Sequence, residues 1–237
     1  MDEFSQVEEL GSQPLAIQFL CALREVTDGV SFLLFGTEYH FTWKEFSHHL
    51  GFSPCCAISL NKAYHSFSRH GFWGKISGQI VHGKFAPRYN EIQNLTLHLM
   101  PKWLAITLFP REDVRPVNND ELMILYAMVK KINISPIKAM VQQWLGNFKM
   151  MGPIECTSLI TRIATRIGAL EGITISFIET PRPHISEVYL VYGHTFKKDP
   201  DDSLVFFFRG YTNGIPLPNP GLRLYNCQSL TMPLEPQ

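Results

Sequence analysis

The sequence predicts a mainly α, α+β fold: a helical bundle with a small N-terminal β-hairpin and a strand-containing C-terminal segment. Three observations predict it. Three amphipathic stretches follow one another between residues 119 and 170, separated by short breaks. A hairpin leading into a capped helix fills residues 30–51. Beyond Gly172, aromatic and β-branched runs replace the helical period. The expected division is a flexible acidic N-terminus over 1–13, a helical domain over 14–170, and a β-hairpin with a Pro-rich irregular end over 171–237.

After Pro14, the residues Leu15, Phe19, Leu23 and Val26 recur at helical spacing up to a stop at Asp28-Gly29. The runs Val30–Phe35 and Glu38–Phe41, with Gly36-Thr37 between them, read as a hairpin. Thr42-Trp43-Lys44-Glu45 is a capping box, in which Thr42 and Glu45 satisfy each other's unpaired backbone N–H groups. It opens a short helix that Gly51 closes. A further helix is expected over 59–69 around Leu60, Tyr64 and Phe67, and the glycine-rich stretch Gly71–Gly83 is expected to be irregular. Residues 91–109 are apolar enough for a buried helix. Pro101 either kinks it, at a cost of about 3 kcal/mol, or starts a new one.

Asn119 is the expected cap of a helix carrying Leu122, Leu125, Tyr126 and Val129, with Lys130 and Lys131 in its last turn, where the dipole favours cations. Ser135-Pro136 opens the next, with Ile137, Met140, Val141, Trp144, Leu145 and Phe148 on one stripe. A third follows Gly152-Pro153 and runs through Leu159, Ile163 and Leu170. Short connections favour antiparallel neighbours in a bundle. Further on, Val188–Tyr192 and Leu204–Phe208 read as a second hairpin across the polar turn Lys197–Asp202. The prolines and Gly214 between Asn213 and Pro220 speak against regular structure there, and Met232–Gln237 reads as the start of a linker.

Charged residues make up 18% of the chain and aromatics 12%, with 21 bases balancing 21 acids. That balance excludes a polycation or an acidic solvating tail, and it points to an apolar face that meets a partner. No apolar run approaches the length of a membrane span, and the acidic start is unlike a signal or transit peptide. With five cysteines in no framework spacing, the expectation is an intracellular protein, cytoplasmic or nuclear, with its thiols mostly buried. The sequon Asn94-Leu95-Thr96 is then inert. Residues 31–170 carry +7 and seven of the nine histidines lie within 31–110. Attraction to RNA or DNA is one explanation, with Lys130, Lys131, Arg162 and Arg166 the candidate contacts. An ordinary solvated surface is the other, because basic and aromatic residues do not alternate.

The search for reactive chemistry yields no catalytic residue, no cofactor and no small-molecule substrate. His48, His49, Cys55, Cys56, His65 and His70 fall within 23 positions, but their spacing matches no zinc pattern. They read as polar helix face and core thiols. Nucleophile elbows, phosphate loops and dinucleotide fingerprints are missing from the sequence. Asp199, Asp201 and Asp202 read as a turn. Trp43, Trp73, Trp103 and Trp144 sit in apolar runs and read as core.

Phe32-Leu33-Leu34-Phe35-Gly36-Thr37-Glu38-Tyr39, Thr42-Trp43-Lys44-Glu45-Phe46 and Leu50-Gly51-Phe52 together resemble the opening block of Athila-type plant retrotransposon proteins, the first open reading frame (gag region) of gypsy-class elements. Phe72-Trp73 with Ile76-Ser77-Gly78 resembles that family's next segment. Ala105, Thr107-Leu108-Phe109 and Arg111 resemble its Ala-x-Thr-Leu-Phe-x-Arg signature, Glu121-Leu122 with Leu125-Tyr126 its following helix, and Leu159-Ile160-Thr161 a later one. The family is proline-free and basic upstream of Ala105, where this chain has His98–Pro101. The resemblance implies a gag-like structural role, with self-association into homo-oligomers and packaging of RNA. It carries over no catalytic residue. A nuclear DNA- or chromatin-associated protein of the same ancestry is the alternative. Without protease, reverse transcriptase or integrase motifs, the chain reads as a truncated or relic copy.

Overall fold

The computed structural model describes residues 9–53, 58–60, 67–81, 83–178 and 185–231. Among them are eight α-helices and two three-stranded antiparallel sheets, an α+β protein. The chain divides into two compact units, each assembled from two separated stretches: Met1–Lys62 with Asn133–Arg182, and Ala63–Ile132 with Pro183–Gln237. Residues 14–170 therefore contribute to both. Cys55, Cys56, His65, most of the helix expected over 59–69, and the linker from Met232 lie outside the described residues.

In the first unit, α1 (Gln13–Ala22) buries Leu15, Ala16, Phe19 and Leu20 and ends earlier than its spacing predicts. Arg24 donates to the carbonyls of Cys21 and Leu23 at 2.9 and 2.8 Å, closing the helix. The chain then forms β1 (Arg24–Val26), which turns back through Thr27-Asp28 onto β2 (Gly29–Leu34). Gly29 is required there, because a Cβ would stand 1.9 Å from the Phe41 carbonyl oxygen. Between β2 and β3 (Thr37–Thr42), Phe35 and Gly36 both take positive φ, 49° and 83°, the backbone that a two-residue turn between twisted strands demands. Val30, Phe32 and Leu34 form the buried face, with Phe32 4.6 Å from Phe19.

The capping box forms as expected. Glu45 N–H donates to Thr42 Oγ1 at 3.3 Å, Thr42 N–H donates to Glu45 Oε2 at 2.9 Å, and α2 (Trp43–Leu50) ends at Gly51 with φ 90°. A short parallel pair, β4 (Ile58–Ser59) with β5 (Ile134–Ser135), joins the two stretches of this unit. The second stretch adds α6 (Ile137–Lys149) and α7 (Thr157–Arg166), both packed on α1 and α2. Trp144, Ile163 and Met140 are buried, as their stripes predict.

The second unit departs most from expectation. Gly71–Gly83 is not irregular throughout: α3 (Arg69–Ser77) runs through it, opened by Ser68 Oγ accepting from Gly71 N–H and closed by Gly78 at φ 70°. Packing of Phe72, Trp73 and Ile76 outweighs the glycine penalty of about 1 kcal/mol each. The helix α4 (Leu95–Thr107) continues through Pro101, because Leu97, Pro101, Leu104 and Ala105 are all buried on its packed side. Asn94, 3% exposed, is its N-cap, so the sequon is a structural feature. The cap of α5 (Asn119–Lys130) is Asn118, one residue before the one expected, and Glu121 completes a second capping box. This helix belongs to the second unit and α6 and α7 to the first, so the three helices are not one consecutive bundle.

The expected hairpin of 188–192 with 204–208 does not form. Glu187–Tyr192 is helical (α8), with Ser186 Oγ accepting from Tyr189 N–H and Leu190 buried. The sheet is instead β6 (Phe196–Lys198), β7 (Leu204–Phe208) and β8 (Tyr211–Leu217), in that order. A strand containing Pro216 is tolerated because β8 lies at the sheet edge, where a missing N–H costs no ladder bond. Gly214 admits the Phe207 ring, which a Cβ would meet at 2.7 Å.

Candidate functional site

In the first unit, the register fixed by the capping box turns Phe46, Ser47 and Leu50 inward and leaves Lys44, Glu45 and His48 exposed and His49 half-buried. With Thr42, these four line an open cleft of about 370 Å3. From α7, Arg166 donates to the His48 carbonyl at 3.3 Å across 118 positions of sequence. The Phe41 ring lies 4.7 Å from His49, and Tyr39 stacks on Phe41 at 6.2 Å and 21° along the edge strand β3.

Two of these side chains have shifted titrations. Glu45 is held by Thr42, through the backbone N–H and then the hydroxyl, which keeps its carboxyl below the usual range. Burial, then His48, then Arg166 push His49 below the ordinary histidine value against a small opposing pull from Glu45. The residues lining the cleft are thus one lysine, two histidines, a threonine and one carboxylate engaged in the helix cap.

A second cluster lies inside the second unit. Lys102, 2% exposed, donates to Thr195 Oγ1 at 2.5 Å, and its ammonium stands 4.5 Å from the Tyr89 ring centroid and 5.7 Å from that of Tyr189. Burial pushes its pKa down to about 8. One turn earlier, His98 is buried with Nδ1 2.8 Å from the Ile92 carbonyl, so Nδ1 carries the proton. Its Nε2 is buried without a hydrogen-bond partner between the edges of Tyr89 and Phe206, and burial brings the pKa down to about 4. Rings and a hydroxyl compensate the buried cation. This pins the turn at Gly193–Thr195 to α4. The visible signal was a His/Lys pair four apart on an otherwise apolar helix; its partner Thr195 lies 93 positions away.

The residues expected to contact nucleic acid separate into two kinds. Arg162 is 2% exposed and committed: its Nε donates to Glu9 at 2.9 Å and Nη1 to the Leu50 carbonyl at 3.5 Å. Its guanidinium holds the first unit together and is not presented to a phosphate. Arg166, one turn later on α7, bonds the His48 carbonyl. Lys130 and Lys131 are exposed at the end of α5 in the other unit, with the Lys131 ammonium 5.0 Å above the Tyr225 ring. Of the zinc candidates, His48 and His49 adjoin in the cleft, whereas His70 stacks on Phe85 in the second unit. Among the described residues no three His, Cys, Asp or Glu side chains converge as a metal site. Cys21 is exposed and Cys227 half-buried, so the thiols are less buried than expected; Cys156 alone of the three described is buried.

The family-like blocks meet inside each unit. Arg111 forms a two-pronged ion pair with Glu121, whose side chain is fully buried, with Nη2 donating to Glu121 Oε2 at 2.9 Å and to the Pro116 carbonyl at 2.6 Å. Its backbone N–H reaches the Ala105 carbonyl at 3.1 Å. Burial raises the Glu121 pKa while Arg111 opposes it. Phe72, Trp73, Leu122 and Leu125 share one core, and Ser77 Oγ donates to the Trp73 carbonyl. No family model, curated protein or solved structure matches this chain.

Proposed function

We propose that the chain is a non-enzymatic, gag-like structural and interaction module of retroelement origin, which self-associates and packages RNA. The observation that carries this reading is what the family-like blocks do with their polar residues. Thr42 and Glu45 cap one helix, Glu121 caps another while pairing with Arg111, and Ser77 bonds the turn before it. These groups are spent on helix ends and on joining one block to the next, as supports of the fold. Exposed Met150 and Met151 in the first unit, and exposed Val188 and Tyr192 in the second, are apolar side chains available for self-association.

Light scattering over a concentration series, with and without a single-stranded RNA of mixed sequence, tests the reading. Mass should rise with concentration, and RNA should lower the concentration at which it does. A strict monomer with no RNA affinity would refute the proposal. Salt-dependent binding to duplex DNA in preference to RNA would favour a chromatin-associated protein of the same ancestry.

A further inference from the structure

The sheet of the first unit leaves one backbone edge unused. Among the described residues β3 pairs with β2 alone. From Glu38 onward its residues alternate between exposed and half-buried, and it carries no proline, lysine or bulge of the kind that guards an edge. The opposite edge is different. There β1 is three residues long, and Glu25 at its centre is held by Lys138 and Gln142 from α6.

The register settles which groups of β3 point away from β2. Trp43 N–H donates to the Asp28 carbonyl at 3.1 Å, so 28/43 is a hydrogen-bonded pair. Bonded and non-bonded pairs alternate along an antiparallel ladder, which makes 30/41, 32/39 and 34/37 bonded as well. Thr37, Tyr39 and Phe41 therefore spend their backbone groups on β2, and Glu38, His40 and Thr42 direct theirs outward. Thr42 is consumed by the cap: its N–H donates to Glu45 at 2.9 Å, and an N-cap carbonyl starts the helix ladder. The template that remains is the N–H and C=O of Glu38 and of His40. Their side chains share the outer face, with His40 Nε2 3.3 Å from Glu38 Oε1. Tyr39 lies on the core side, 5.4 Å from Phe32.

We propose that β3 pairs with β3 of a second copy of this chain, antiparallel about a two-fold axis through Tyr39, joining two three-stranded sheets into one of six strands. The proposal rests on the self-association reading and names its surface. Glu38 of each copy then faces His40 of the other. Every outward N–H and C=O of these residues is bonded, and each carboxylate lies opposite an imidazole that can donate to it. Tyr39 meets its counterpart at the non-bonded pair between them, where side chains approach most closely. Thr42 and its capping Glu45 fall opposite Gly36, which has no side chain to obstruct them. Neighbouring registers fail. One sets Glu38 against Glu38; another sets His40 against His40 and Glu38 against the spent Thr42. Intermediate slips oppose outward groups to inward ones. A foreign strand is the competing occupant, and the reciprocal Glu38–His40 match speaks for a second copy, because it arises only when this sequence lies opposite itself.

The test is sedimentation equilibrium of the full chain over a concentration series without RNA, in which the mass should double as the closed two-fold contact forms. His40→Pro removes only an outward N–H, a loss that an edge strand tolerates, and should weaken the dimer by at least about tenfold, because two of its four ladder bonds go. Glu38→Lys should weaken it by about tenfold, and Glu38→Lys with His40→Glu should restore it, because the exchanged pair again meets its opposite across the axis. Amide exchange at Glu38 and His40 should slow as concentration rises, with little change at Tyr39 and Phe41, which β2 already protects. Met150→Ser with Met151→Ser, exposed elsewhere on the same unit, should leave the dimer unchanged. Circular dichroism melts establish that the variants are folded, and the Glu38 variants serve if His40→Pro is not. Native dimerisation in His40→Pro and Glu38→Lys would overturn the edge as the interface while leaving self-association standing. A charge exchange that fails to restore the dimer would overturn the two-fold pairing. A chain that stays monomeric at every concentration would overturn both the edge and self-association. If that monomer bound a labelled extended peptide of alternating threonine and valine, the occupant would be a foreign strand and not a second copy.

Discussion

His98 should make the second unit acid-sensitive. Its neutral form donates from Nδ1 to the Ile92 carbonyl, and a second proton would place a charge on a buried Nε2 with no acceptor, one turn before Lys102. The folded-state pKa of about 4 lies below the ordinary 6.5, so the unfolded chain binds this proton first. Stability is therefore complete above pH 6.5 and is lost as the pH falls toward 4. At about 1.4 kcal/mol per pH unit, the loss reaches about 2 kcal/mol at pH 5 and about 3 at pH 4. Burial raises the Asp120 and Glu121 pKa values, an effect of opposite sign, so the comparison needs a variant. His98→Asn keeps a donor near the Nδ1 position and removes the titration; its missing ring packing lowers stability equally at every pH. Urea midpoints read by hydrogen exchange across Leu95–Thr107, from pH 7 to 4.5, should fall more steeply for the native chain, by about 2 kcal/mol at pH 5. Parallel curves, or an imidazole that titrates near pH 6.5 by NMR in the folded protein, would refute the reasoning.

Lys102 should act at the other end of the scale: its folded pKa of about 8 lies below the ordinary 10.5, so stability should rise between pH 8 and 10.5, by about 3 kcal/mol. Lys102→Met should flatten that rise in the same urea measurement. Arg111→Ala strands a fully buried Glu121 and should cost about 3–5 kcal/mol, part of it recovered by adding Glu121→Gln. Thr42→Ala removes the N-cap of α2 and should cost about 1 kcal/mol, and Thr42→Ser should restore it, both read from thermal melts. Arg162→Ala should destabilise the first unit by about 3 kcal/mol, because Glu9 and the Leu50 carbonyl lose their partner. Arg166→Ala, at a half-exposed position, should cost less than Arg162→Ala.

What the sequence disclosed depended on how far apart the deciding residues lie. The hairpin and capping box were legible because Phe35-Gly36 and Thr42…Glu45 settle their own backbone within four residues. The helix Arg69–Ser77 was not, because its glycines are overruled by Trp73 and Ile76 packing against Leu122 and Leu125, which local pattern does not carry. Val188–Tyr192 has strand-like composition, but Ser186 caps it as a helix and the sheet partner of Leu204–Phe208 comes from further on. Pro216 spoke against a strand until its edge position removed the penalty. The cleft was legible because its lining, Thr42, Lys44, Glu45, His48 and His49, follows from the cap's register, whereas the bond from Arg166 to the His48 carbonyl spans 118 positions.

That late helix joins the two stretches of the first unit. On α7, Arg162 and Arg166 are one turn apart, so fixing the first fixes the direction of the second. Arg162 is anchored between Glu9 and the Leu50 carbonyl at the end of α2; Arg166 then falls beside His48 on the same helix. Two arginines that look equivalent in sequence thus dock α7 onto α2 at different depths: Arg162, 2% exposed, bonds Glu9 and the Leu50 carbonyl, and half-exposed Arg166 bonds the His48 carbonyl. The cost of losing a partner grows with burial, so Arg162→Ala should lower the melting temperature of the first unit more than Arg166→Ala does. Equal losses in the two variants would show that the burial of Arg162 adds nothing to the docking of α7.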